Sequence, residues 1–158
     1  MTSFARRGFA RCAAFAFKMT IAAAVCAAMW NFEVGASQES AARTTWSGVY
    51  TDAQAKRGET MYGQTCASCH APDLSGVGQS PPLAGKDFNS DWNDTSMSDL
   101  FERIRVSMPA DAPGSLKPPD VADLLAFILS QGGFPAGQTE LPSQADALKP
   151  IKFLTQKP

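Results

Sequence analysis

The stretch QTCASCHAPD, residues 64–73, constrains this chain more than any other. Within five consecutive positions, 66–70, stand two thiols, Cys66 and Cys69, and the sequence's only imidazole, His70. Such a cluster serves as a redox disulfide, as part of a metal site, or as an attachment point for a haem. Each use demands different residues elsewhere, so the rest of the sequence decides among them.

Four cysteines are present, and Cys12 and Cys26 lie in a leader-like segment. A basic stretch through Lys18 precedes the apolar run MTIAAAVCAAMW at 19–30, and in VGASQ the residues Val34 and Ala36 satisfy a small-residue cleavage rule. Residues 1–36 are therefore expected to be a signal peptide that exports the chain to the periplasm. The apolar run is shorter than the roughly 20 residues of a spanning helix, so no permanent membrane anchor is expected. An uncleaved leader that tethers the domain is the alternative.

The exported chain then offers two cysteines and one histidine. A structural zinc site needs four ligands from Cys, His, Asp and Glu, which this set cannot close without carboxylates or a partner chain. A thioredoxin-like pair sits where a strand meets a helix, and no strand pattern flanks these cysteines. Covalent haem uses all five positions. Two thiols on a helical turn each add to one vinyl group of a haem edge, and the next residue places an imidazole over the iron. The expected cofactor is one haem c, attached through Cys66 and Cys69 with His70 as an iron ligand.

With 158 residues, 44% of them hydrophobic, the chain is long enough for one domain and too short for two of ordinary size. Its formal charge of −1 hides an uneven distribution. The leader holds Arg6, Arg7, Arg11 and Lys18 against Glu33; setting these aside leaves 10 basic and 14 acidic residues, a net charge of −4. A mildly acidic body without Lys or Arg runs is not a nucleic-acid binder.

Residues 37–48 are small, polar and aperiodic, and read as a flexible linker. The domain is expected over 49–134. Thr51 or Asp52 caps a helix whose body runs into the cysteine motif, with Ala55, Gly58, Met61, Tyr62 and Thr65 at spacings of three and four. From Ala71 to Trp92 the chain is rich in Gly, Pro and Ser and reads as loop. A second helix follows Thr95 or Ser96, with Leu100, Phe101, Ile104 and Met108 on one face and Asp99 placed for a capping box. The third starts at Pro119 and Asp120 and stops at Gly132 and Gly133. The tail, 135–158, holds four prolines and room for one short helical turn capped by Ser143. No window alternates long enough for a sheet. The fold is expected to be all-α, three main helices with long loops around one haem.

A single histidine leaves the sixth iron position to methionine, another weak donor, water or nothing. Met108 stands where helix gives way to the loop PADAPGSLKPP, which can aim its side chain; Met61 and Met97 are the other candidates.

In RGETMYGQTCASCH, GQSPPLAG, SMPADAPGSL and DVADLLAFILSQGGFP the sequence resembles the single-haem c-type cytochromes with His/Met ligation. It is similar to the bacterial cytochrome c domains associated with periplasmic quinoprotein dehydrogenases. The resemblance covers about residues 49–134 and implies a cytochrome c fold in which Gly58 and Tyr62 meet Leu124 and Phe127. It implies that the Pro81 carbonyl accepts the Nδ1 proton of His70, that Trp92 reaches a haem propionate, and that Met108 ligates iron. It further implies electron transfer rather than an enzyme: a dehydrogenase as donor, a terminal oxidase or another cytochrome as acceptor. Alternatives are a fixed haem subunit of a dehydrogenase, with the tail as docking segment, and a haem enzyme or gas sensor with an open sixth site.

Overall fold

The computed structural model of the protein describes residues 43–158; the expected leader and residues 37–42 of the expected linker lie outside the described residues. Thr51 starts the first helix, α1 (Asp52–Thr65), its Oγ1 accepting the Gln54 N–H at 3.2 Å. Asp52 follows in the first turn, where the helix's positive end favours a carboxylate. A single turn, α2 (Ala67–His70), continues beyond Cys66.

Helix α3 is Gly85–Trp92 and α4 is Met97–Ser107. Ser96 and Asp99 close the expected capping box on α4: Ser96 Oγ accepts from the Ser98 N–H at 3.1 Å, and Asp99 Oδ2 accepts the Ser96 N–H at 3.1 Å. Helix α5 is Pro118–Gln131, with proline in its first turn, where a missing N–H costs nothing. Its Val121, Leu124, Leu125, Ile128 and Leu129 are buried and form the centre of the core.

Helices α1 and α5 cross at Gly58. A Cβ there would stand 2.6 Å from the Asp123 carbonyl carbon and 2.9 Å from the Phe127 Cβ. Hydrogen is the only substituent that permits this approach. The resemblance implied that Gly58 and Tyr62 meet Leu124 and Phe127; Phe127 does stand against both, its Cβ at Gly58 and its ring centroid 5.1 Å from that of Tyr62, and the backbone of Asp123 comes closest to Gly58.

Two segments differ from the expectation drawn from sequence. Within the expected loop 71–92, Gly85–Trp92 is helical although Ala84 provides no side-chain cap. Its buried residue, Phe88, packs edge-on against Phe153 of the tail at 5.9 Å, so a tertiary contact supports a helix with little local signal. Residues 43–48, expected as the end of a flexible linker, form a strand, β1 (Arg43–Thr44), and a 3-10 turn over Thr45–Ser47. Thr44 and Thr45 are buried. The tail, which only the fixed-subunit alternative gives to docking, folds back on its own domain.

That tail carries the expected short helix, α6 (Ala145–Leu148), capped by Gln144 rather than Ser143 and without a side-chain bond. Strand β2 (Ile151–Lys152) then pairs in parallel with β1, Arg43 opposite Ile151 and Thr44 opposite Lys152. The Thr45 hydroxyl donates to the Leu154 carbonyl at 2.8 Å and accepts the Leu154 N–H at 3.1 Å. Leu148, Ile151 and Phe153 are fully buried.

A surface clamp joins α1, α5 and the tail. Arg57 Nε and Nη2 donate to the Asp123 carboxylate, both at 2.8 Å, and Nη1 donates to Glu140 at 2.9 Å. These bonds raise the guanidinium pKa further above its ordinary value, but the side chain is half-exposed and water screens the pair. Arg57→Ala is expected to lower unfolding free energy by only about 1 kcal/mol. Urea denaturation measures this, and a loss above about 3 kcal/mol would show the clamp to be a main support of the crossing.

Candidate haem-binding site

Helix α1 ends by delivering Cys66. The Cys66 N–H donates to the Tyr62 carbonyl at 2.9 Å, and the Cys66 carbonyl accepts from Cys69 N–H at 3.1 Å and His70 N–H at 2.9 Å. The motif is thus one helical turn hung on the end of α1, with both cysteines as free thiols. Cys66 is half-buried and Cys69 exposed. Burial pushes the Cys66 thiol pKa up, outweighing the hydrogen bond with Thr65 Oγ1 at 3.3 Å.

His70 is buried, and its Nδ1 lies 2.8 Å from the Pro81 carbonyl oxygen. A carbonyl can only accept, so Nδ1 carries the proton and Nε2 holds the free lone pair. The loop between them is fastened to itself: Gly76 N–H donates to the His70 carbonyl at 2.9 Å and Leu83 N–H to the Leu74 carbonyl at 2.8 Å. Gly76, at φ +79°, has no room for a side chain, because a Cβ would meet the Ser80 carbonyl oxygen and stand 2.9 Å from the Pro81 carbonyl carbon.

The remaining candidates lie on other elements. Met108 caps the C-terminal end of α4, half-buried, its N–H donating to Ile104 O at 2.9 Å. Trp92 ends α3, half-buried, with its ring 6.3 Å from that of Phe88. Met97 is fully buried in the core, whereas Met61 is half-buried on α1.

The donor set fits a haem c. Two unpaired thiols on one turn supply the two thioether positions, and the adjacent imidazole has the tautomer that leaves Nε2 for iron. Leu83, Ile104 and Leu116 are partly buried hydrophobic residues packed against the core. Among the described residues no group of three His, Cys, Asp or Glu is placed to hold a metal ion, so the zinc alternative finds no ligand set.

A family model agrees. Residues 53–128 match the family model described as cytochrome C oxidase, cbb3-type, subunit III. Among solved structures the chain is similar to the sulfane dehydrogenase SoxCD from Paracoccus pantotrophus: 24% identity over 50% of this chain and 43% of that one, with a TM-score of 0.40. It thus spans less than half of that chain's length. No curated protein matches it. The matched family, the helical architecture and the cysteine–histidine turn converge on one assignment: residues 53–128 form a c-type cytochrome domain with the cytochrome c fold, whose role is haem electron transfer.

Proposed function

We propose that the protein is a periplasmic one-electron carrier, its haem bound covalently through Cys66 and Cys69 and ligated by His70 and Met108. It accepts electrons from a periplasmic dehydrogenase, of the quinoprotein kind, and passes them to a terminal oxidase or another cytochrome. The observation that carries this reading is the His70 tautomer fixed by Pro81, one residue from a free cysteine pair.

The haem supplies one-electron cycling between iron(III) and iron(II). The protein's part is to hold and shield it. His70 is oriented by the Pro81 carbonyl, which also raises the basicity of the ring. Met108, a thioether, favours iron(II) relative to a second imidazole and so raises the potential. Leu74, Phe88, Leu100 and Leu125 are buried and make the surroundings apolar, which raises it further. Trp92 offers its indole N–H to a propionate. Export by a cleaved leader over residues 1–36 places the domain among its partners.

The fixed-subunit alternative assigned the tail to a partner. Its apolar residues Leu148, Ile151 and Phe153 are buried against this domain instead, which favours the free carrier.

Absorption spectra of the exported protein, oxidised and reduced, test the proposal with a Met108→Ala variant alongside. The wild type is expected to show the weak far-red methionine-to-iron band, and the variant to lose it completely. A band that persists would move the ligand to Met61, since Met97 is enclosed in the core. Binding of carbon monoxide by the wild type without ligand displacement would establish the open-site reading instead.

A further inference from the structure

Ala71, the residue after His70, has φ +62° and ψ +153°, a backbone region that is essentially reserved for glycine. Something must hold it there. Its carbonyl accepts the Tyr62 hydroxyl at 2.6 Å, and the Leu74 N–H at 3.2 Å.

Tyr62 therefore grips both ends of the cysteine–histidine turn. Its main-chain carbonyl takes the Cys66 N–H before the turn, and its side-chain hydroxyl holds the Ala71 peptide after it. The ring is fixed in turn by Phe127 of α5 and is 2% exposed. Burial pushes the phenol pKa up to about 12, so the hydroxyl remains a donor throughout the physiological range.

We propose that Tyr62 is a positioning residue for His70: by holding Ala71 in a strained conformation, its hydroxyl fixes the main chain on which the imidazole is aimed. The inference rests on the haem reading above and adds a residue to it. The peptide after His70 and the Pro81 carbonyl set the imidazole from two sides, one through the main chain and one through Nδ1. Without the Tyr62 hydrogen bond Ala71 relaxes, and the Nδ1–H bond to Pro81 loosens with it. A looser bond makes the ring less basic and favours iron(II).

The test is Tyr62→Phe in the full-length haem-loaded protein, which removes one oxygen and keeps the ring. The matched control is Tyr50→Phe, which removes an equally buried hydroxyl bonded to the Phe134 carbonyl at 2.7 Å. In Tyr62→Phe the Leu74 and Gly76 amides are expected to exchange about fivefold faster. The haem-methyl and His70 ring NMR shifts are expected to move and the reduction potential to rise. Tyr50→Phe is expected to leave all of these at wild-type values. Adding Ala71→Gly to Tyr62→Phe is expected to restore them, because glycine adopts the required φ unaided.

Unchanged His70 signals in Tyr62→Phe, equal changes in Tyr50→Phe, or no rescue by Ala71→Gly would each overturn the positioning role while leaving the haem reading intact. A wild-type protein that carries no His-ligated haem would overturn both.

Discussion

Phe153→Ala is expected to destabilise the domain by about 4 kcal/mol, the usual range for truncating a fully enclosed phenylalanine. The ring has 0% exposure and stands edge-on to two others, 5.3 Å from Phe134 and 5.9 Å from Phe88. Its loss removes apolar burial and two edge-to-face contacts, and leaves a cavity between α3 and the end of α5. Backbone bonds alone cannot compensate. The Phe153 N–H donates to Thr95 O at 2.9 Å and the Asp94 N–H donates to Phe153 O at 2.8 Å, each contributing about 1 kcal/mol. The urea midpoint should fall at unchanged slope, and Phe153→Leu should recover more than half of the loss. A loss under 1 kcal/mol would mean that the tail is an accessory to the fold.

Gly58→Ala should cost about 3 kcal/mol, even though alanine in a helix interior would ordinarily stabilise by about 1 kcal/mol. The collision wins because the obstacle is main chain. The new methyl would meet the Asp123 carbonyl group and the Phe127 Cβ, neither of which can rotate away. Only separation of α1 from α5 relieves it, and that separation uncovers Tyr62, Leu124 and Phe127 together. For a domain of this size the melting temperature should drop by roughly 12 °C. Gly63, where a Cβ meets nothing within 4 Å, is the control: Gly63→Ala should leave stability equal or slightly higher. Equal stability of Gly58→Ala and wild type would refute the close crossing.

The parts of the fold legible in sequence are those governed by local chemistry. Thr51, Ser96 with Asp99, and Gly132 each mark a helix end within a few residues of the groups they serve. The cysteine–histidine turn is legible for the same reason, and the fixed length of the motif sets its geometry. Helix α3 is not, because Phe88 and Trp92 give it two apolar positions in eight residues and its stabilising partner, Phe153, lies far along the chain. Residues 43–48 look like linker until Thr45 is seen bonded to Leu154, a contact across 109 positions. Nor does any local pattern mark Ala71: an alanine gives no sign that its backbone takes a glycine conformation until the Tyr62 hydroxyl is found on its carbonyl.

The pairing of β1 with β2 also bears on the order of assembly. A chain made from its N-terminal end exposes Arg43 and Thr44 well before their partners Ile151 and Lys152. Closing so long a loop is slow and gains nothing until the rest has formed. The crossing of α1 and α5 therefore comes first, and α3, leaning on Phe153, waits with the tail. Until that clasp shuts, the side of the domain between α3 and the β1–β2 pair stays open to the surroundings, and molecules stalled at this stage are the ones a protease would find.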